Sequence, residues 1–328
     1  MKKIDSRWCA NHGIGRFASE MRLDKHGETI EGSFSDIFSP LDPLRLFLNC
    51  RIDNAWFISP SYNCPIFWHR RSIITIHDLM HIYFPDYAGL KNKVYYDYLV
   101  KPVCKKTPLI FTVSEYTKHE IAKWANINPD KIVVVYNGVD ENYTVSVNPH
   151  KHLKPYVLYV GDKKPHKNIK RLMEAFSKSV VSNTHDLMLS GNSNDEILAW
   201  ASEFNIIDKV VFAGFIPEND LPSYYKGASL LALPSLYEGF GLPIIEAMAV
   251  GTPVLTSNVT AMPEIAGDAA ILINPVNVNE ITKGLNDLIS DINLRNSLII
   301  KGLERVKAFN WDASRIIWND SINKVVGN

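Results

Sequence analysis

The sequence predicts an α/β chain built from two doubly wound, Rossmann-like units. Short apolar runs alternate with longer amphipathic stretches of helical period, the pattern of parallel strands each covered by a helix. This alternation comes as two series, separated by a polar segment at residues 140–154. The 328 residues exceed what one hydrophobic core usually serves, so two domains of ordinary size account for them.

In the first series, strands are expected over residues 4–8, 55–58, 72–76, 109–113 and 132–135. A helix opens at Gly13, Gly15 and Arg16, and further helical stretches cover residues 91–103 and 115–125. Residues 27–36, GETIEGSFSD, are polar and glycine-bearing and do not read as a strand. Asn137 and Gly138 turn the chain before the polar segment. The second series runs from a strand at 156–160 through the loop GDKKPHKN (161–168) into a helix at 169–181, with Leu172, Ala175 and Phe176 on one face. Strands follow at 187–189, 210–212, 228–233 and 252–256, and the tail after Phe309 carries a helical stretch through Trp318. The expected domains are therefore 1–145 and 146–308, followed by a tail at 309–328.

The most informative stretch is 234–255, PSLYEGFGLPIIEAMAVGTPVL. It follows the apolar run ASLLAL and precedes another strand, so it makes a βαβ unit. Its loop then falls at the carboxyl end of a parallel strand, where such sheets bind ligands. Pro243 suits a helix start and Gly251 a helix end. The bare backbone at Phe240, Gly241 and Leu242 offers amides to a diphosphate, because helix starts carry unpaired N–H groups. Glu246, read as first-turn, suits the two hydroxyls of a ribose, and Glu238 suits the hydroxyls of a transferred sugar. Taken singly, each glutamate merely favours a helix N-terminus, by ~0.3–1 kcal/mol.

EGFGLPIIEAMAVGTPVLTS resembles the donor-site motif of the retaining GT-B glycosyltransferases of family 4, with seven residues between its two glutamates. The resemblance continues through residues 210–235 and 262–275, covers nearly the whole chain, and is greatest to bacterial mannosyl- and rhamnosyltransferases of surface polysaccharides. It implies two Rossmann-like domains facing a cleft, the first on the acceptor side and the second binding the nucleotide sugar, with the tail crossing back to the first. It also implies transfer with retention, in which a diphosphate oxygen takes the acceptor proton and no protein nucleophile is needed. Lys167 matches the family lysine that stabilises the leaving diphosphate, an electrostatic role that is commonly the largest catalytic contribution. Where many relatives carry arginine beside the loop glycine, Gly161 is followed by Asp162, leaving Lys164 and His166 as substitutes. His77 and Asp78 match the family HD pair, and His77 is expected to position the donor sugar. Gly13 and Gly15 admit a phosphate or sugar close to the backbone, while Arg16, Asp78 and Ser114 are the acceptor-side candidates.

Composition narrows the partners. Lys+Arg and Asp+Glu balance at 35 each, so no overall field favours a nucleic acid. Cys9, Cys50, Cys64 and Cys104 form neither a CxxC pair nor a disulfide framework, and no cleavable apolar leader follows Met1, so a cytoplasmic setting is expected. No apolar run reaches the ~20 residues that span a bilayer, which makes any membrane contact peripheral. Arg70, Arg71, Lys91, Lys93, Lys101, Lys105 and Lys106, interleaved with Trp68, Tyr83, Phe84, Tyr87, Tyr95, Tyr96 and Tyr98, suggest such contact beside a lipid-linked glycan acceptor. The ten histidines are scattered, so no metal or other cofactor is expected beyond the nucleotide-sugar co-substrate, with GDP-mannose the nearest by resemblance. GIGRFA also fits a loose dinucleotide fingerprint, but its acidic partner, Glu31 or Asp36, follows no convincing strand. Two further alternatives are a GT-B epimerase or hydrolase of sugar nucleotides, and a non-catalytic nucleotide-binding partner of an assembly complex.

Overall fold

Twelve parallel strands form two sheets of six in the computed structural model, which describes residues 1–8, 13–21, 27–30, 37, 39–49, 55–84 and 89–327. The first sheet has the order β2-β1-β3-β4-β5-β6. Its strands are β1 (Lys2–Asp5), β2 (Glu28–Ile30), β3 (Trp56–Ile58), β4 (Ser72–Thr75), β5 (Leu109–Thr112) and β6 (Ile132–Val134). The second sheet has the order β12-β11-β10-β7-β8-β9. It comprises β7 (Tyr156–Tyr159), β8 (Asp186–Leu189), β9 (Val210–Phe212), β10 (Leu230–Leu233), β11 (Val254–Ser257) and β12 (Ile271–Ile273). The strands β4, β5, β7, β8, β10 and β11 are buried at every residue, which is why they are mostly apolar rather than alternating.

The chain divides into two units, Met1–Gly138 with Asn310–Asn328, and Val139–Phe309. The division falls at 138/139, seven residues before the expected boundary, because the polar segment packs on the second unit. Tyr143 is buried with its ring 6.1 Å from that of Tyr225, and the His150 amide donates to the Ser223 carbonyl at 2.8 Å. The tail belongs to the first unit as a helix, Trp311–Val326, that runs well past Trp318. Trp318 stacks on Phe111 of β5 at 4.0 Å, Ser314 donates to the Tyr136 carbonyl at 2.6 Å, and Arg315 bridges to Glu20 at 3.1 Å. Gly138 is needed where this helix begins, since a Cβ there would lie 2.5 Å from the Trp311 nitrogen.

Two readings are corrected. The polar stretch after Gly27 does contain a strand, β2, which pairs with β1 through Lys3 and Glu28. An edge strand has one neighbour, so a polar sequence suffices there, and Glu28 is tied to Lys3 by an ion pair at 3.3 Å. The first strand is Lys2–Asp5 rather than 4–8, because residues 6–8 turn away to place Arg7 and Trp8 in a buried polar cluster. Glu31 and Asp36, the acidic partners of the dinucleotide fingerprint, lie outside the described residues, as do Cys9, Cys50 and Tyr87. Cys64 and Cys104 are free and buried, and burial pushes both thiols up to about 12, which keeps them protonated and unreactive.

Trp318→Ala removes the ring that joins the tail helix to β5, and is expected to cost ~3–5 kcal/mol of unfolding free energy in urea. An unchanged midpoint would mean the tail contributes nothing to the first unit.

Candidate active site

In the second sheet the winding reverses at one place. From β7 the chain builds outward to β8 and β9, then returns to add β10 on the other side of β7. The loops after β7 and β10 begin connections that run to opposite sides there, and a switch point of this kind is where an open parallel sheet usually opens a ligand crevice at its carboxyl edge. Lys167 lies on the first of these loops and Glu238 on the second.

They meet as an ion pair. The Lys167 ammonium donates to both carboxylate oxygens of Glu238, at 2.8 and 2.9 Å, with the two side chains only 17% and 12% exposed. Neighbouring bonds set this geometry. Asn168 adopts the left-handed conformation at φ 62° and its side-chain amide donates to the carbonyls of Pro234 (2.9 Å) and Pro275 (2.7 Å), pinning the β7 loop to the loops after β10 and β12. The Leu236 amide donates to the His166 carbonyl at 2.7 Å, joining the same loops a second time. On the glutamate side, the buried Ser235 hydroxyl donates to Oε1 at 2.7 Å, and the Glu238 amide donates to the Thr260 hydroxyl at 3.2 Å. Lys167 and Glu238 are thus aimed by the loops they stand on.

The helix Leu242–Ala249 starts beside Glu238, behind Gly241 at φ 96°. Only glycine holds that conformation without strain, and an added Cβ would press on Ile244 at 3.0 Å. The first amides of this helix start have no partner within the helix. The Phe240 ring is buried edge-on against Phe309 at 5.7 Å, which anchors the loop. Glu246 departs from expectation. The helix begins at Leu242, so Glu246 stands in its second turn, and it is 3% exposed with the Tyr225 hydroxyl donating to Oε2 at 2.7 Å. A buried carboxylate requires such a partner. Tyr225 is itself fixed, its carbonyl accepting from the Thr252 hydroxyl at 2.7 Å.

The other residues of the GDKKPHKN loop bond to one another and to neighbouring loops. The Gly161 amide donates to the Ser190 hydroxyl at 3.0 Å. Lys164 pairs with Asp162 at 3.1 Å on the surface, so the residue that departs from the family pattern also occupies its expected substitute. His166 is buried and contributes its carbonyl to the Leu236 bond. Lys163 donates to the Asn192 carbonyl and lies 5.4 Å from the centre of the Phe212 ring, where burial lowers its pKa.

The first unit brings another set to the carboxyl edge of its own sheet, whose winding reverses between β1 and β3. The helix Gly13–Glu20 follows β1, with Gly13 open to solvent, Gly15 buried and Arg16 half-buried. His77 follows β4; its Nε2 lies 2.8 Å from the Pro60 carbonyl and its ring stands edge-on to Phe17 at 5.0 Å. Asp78 accepts from the Met80 amide at 2.9 Å, starting the short helix Met80–Tyr83. Ser114 is wholly buried as the N-cap of the helix Glu115–Ala125, accepting from the Thr117 amide at 3.1 Å. Its hydroxyl thus has a structural task that the notion of acceptor binding overlooks.

Sequence reasoning missed the supports. Asn168 had a usable signal, since asparagine readily takes the left-handed conformation at a helix start. Ser235, Thr260 and Tyr225 carry none. Also missed is a buried cluster at the end of β1, where Arg7 donates to Asp5 at 2.8 Å and to Asp42 at 2.6 Å, and Asn63 donates to Asp42 at 2.8 Å. Burial raises the pKa of Asp5, against the lowering effect of Arg7.

Two doubly wound sheets, with a lysine–glutamate pair and a glycine-led helix at the switch point of the second, define a GT-B glycosyltransferase. Residues 143–305 match the family "Glycosyl transferases group 1", and residues 52–143 match "Glycosyltransferase Family 4". The O-antigen chain mannosyltransferase B of Escherichia coli is 32% identical over 270 residues, covering 76% of this chain and 71% of that protein. The O-antigen chain mannosyltransferase RfbU of Salmonella typhimurium is 34% identical over 209 residues, covering 63% of this chain and 57% of that protein. Among solved structures, WaaG, a glycosyltransferase involved in lipopolysaccharide biosynthesis, superposes with a TM-score of 0.80 at 14% identity, covering the whole of both chains. The chain belongs to the family 4 glycosyltransferases.

Tyr225→Phe strips the hydroxyl from the buried Glu246 carboxylate and is expected to lower stability by ~1–3 kcal/mol in thermal unfolding. No change would mean that Glu246 is satisfied without it.

Proposed function

We propose that this chain is a retaining hexosyltransferase that moves mannose from GDP-mannose to a lipid-linked glycan of a bacterial surface polysaccharide. The observation that carries the reading is the Lys167–Glu238 pair, held at the β7/β10 crevice beside the Gly241 helix start. A nucleoside diphosphate sugar has one feature for each of these elements. Its diphosphate suits the helix amides and the Lys167 ammonium, and its sugar hydroxyls suit the Glu238 carboxylate. Without donor the two side chains neutralise each other; with donor, Lys167 turns to the phosphates and Glu238 to the hydroxyls. As the glycosidic bond breaks, negative charge grows on the diphosphate, where a fixed cation and aligned amides stabilise it most.

Mannose is favoured by the names of the two curated relatives at 32% and 34% identity. Glu246 is assigned to the ribose, with Tyr225 orienting its carboxylate. His77 is assigned to the sugar near the reacting carbon, its ring steadied by Phe17 and Pro60. Gly13, Gly15, Arg16 and Asp78 share its sheet edge and are assigned to the donor phosphate or the acceptor. With cation and amides supplied by the protein, the reaction is read as metal-independent. The setting is read as the inner face of the plasma membrane with peripheral contact; among the described residues no helix is long and apolar enough to cross a membrane.

Lys167→Ala is expected to lose ~2.7–4 kcal/mol of transition-state stabilisation, read as a fall in kcat, on the scale of one oxyanion donor. Unchanged turnover in a folded variant overturns its role. GDP at 100 times its Kd should stabilise the protein by ~2.7 kcal/mol in a thermal-shift panel of nucleoside diphosphates, and a larger response to UDP or dTDP would reassign the donor. Turnover should survive EDTA; loss restored by Mg²⁺ or Mn²⁺ refutes metal independence.

A further inference from the structure

A second concave site lies in the first unit, away from the sheet edge that carries His77. A cavity of about 370 Å³ is lined by Phe67, Trp68, His69, Arg70, Arg71 and Lys106. The turn His69–Arg71 leads into β4, and Lys106 ends the helical segment Lys101–Lys106 that leads into β5. The cavity therefore sits at the amino ends of β4 and β5, opposite the carboxyl edge where an α/β sheet receives its substrate. Its lining holds three permanent cations and no carboxylate. His69 lines it as a neutral hydrogen-bonding group, since burial and Lys106 lower its pKa.

The wall is fixed and its rim is apolar. Trp68 donates to the Ala55 carbonyl at 2.9 Å, and its own carbonyl accepts from the Ser72 hydroxyl at 2.9 Å. Phe67 is held in the left-handed region at φ 66°, unusual for an aromatic residue, and remains 78% exposed. Its ring stands edge-on to Phe47 at 5.9 Å. Phe47 belongs to the helix Asp42–Asn49, which also presents Leu44 and Leu48, one turn apart on the same face, the latter 67% exposed. An exposed apolar strip thus borders a basic pocket.

The wider basic and aromatic set expected from the sequence does not form one surface. Tyr96 is buried in the core, Lys93 pairs with Asp97 at 3.2 Å, and Lys101 lies 5.7 Å from the Trp124 ring. Arg70, Arg71 and Lys106 line the concave part.

We propose that this pocket binds the phosphate of an anionic phospholipid headgroup while Phe67, Leu44 and Leu48 enter the lipid interface. The proposal rests on the peripheral-membrane reading above and supplies its site. Cations beside exposed aromatic and leucine side chains match a surface whose outer layer is anionic and whose next layer is apolar. A soluble phosphate ligand would use the cations and leave the strip in water.

Flotation with vesicles of phosphatidylglycerol and phosphatidylcholine tests it, beside vesicles of phosphatidylcholine alone. The wild-type protein should float with the anionic vesicles only. Arg70→Ala/Arg71→Ala/Lys106→Ala should bind them about 100-fold more weakly, from the usual contribution of each basic residue at a charged bilayer. Phe67→Ser/Leu48→Ser should also bind more weakly, with the salt dependence kept. Absence of flotation, or equal flotation of wild type and both variants, overturns the proposal; the second result leaves peripheral contact standing at another site. Stabilisation by inorganic phosphate that depends on the three cations, without flotation, identifies a free-anion pocket and also overturns it. The GDP thermal shift should be the same in wild type and variants, which verifies folding. Its absence from all of them would count against the proposed donor site and leave the pocket untouched.

Discussion

The ion pair of Lys167 and Glu238 rests on a prior constraint, the reversal of winding between β7 and β10. Adjacent parallel strands whose connections leave in opposite directions cannot close their loops over one another, so the loops stand apart and side chains fill the gap. In this chain the two loops are then stitched by Asn168 and by the His166–Leu236 backbone bond. A cation and an anion so held are ready for a ligand that carries both a charge and hydroxyls. Because the pair is mostly removed from water, its separation has a cost.

The supports share one feature, that each of the carboxylates Glu238, Glu246, Asp5 and Asp42 has a named partner. Ser235 serves Glu238, Tyr225 serves Glu246, and Arg7 holds two carboxylates at the end of β1. Removing one member of such a set takes a hydrogen bond from a group that is largely out of water, which costs more than the bond itself contributes. Rigidity at the two sheet edges is thus a by-product of satisfying buried groups. The conformations at Gly241 and Asn168 add to it, since few residues adopt them without strain.

Much of the fold was legible. Apolar runs marked most of the inner strands because parallel strands are covered on both faces, and the helix expected over residues 115–125 is found at Glu115–Ala125. β2 was not legible, since an edge strand needs no apolar run and GETIEG looks like a loop until β1 is beside it. The basic and aromatic residues between 68 and 106 looked like one surface because a sequence does not say which tyrosines face the core. Three-dimensional packing buries Tyr96 and leaves Tyr98 outside.

The local string from 234 to 255 determined by itself that a glycine-led helix would follow a buried strand with an acid on each side, since these features depend on residues a few positions apart. It also carried the family resemblance. Only the tertiary structure decided that Lys167 and Glu238, 71 positions apart, meet. It likewise decided that Glu246 lies beneath Tyr225, that Lys164 is taken by Asp162, and that the tail returns to β5. The reason is that strand order sets which distant loops become neighbours, and burial then sets which of their polar groups must pair.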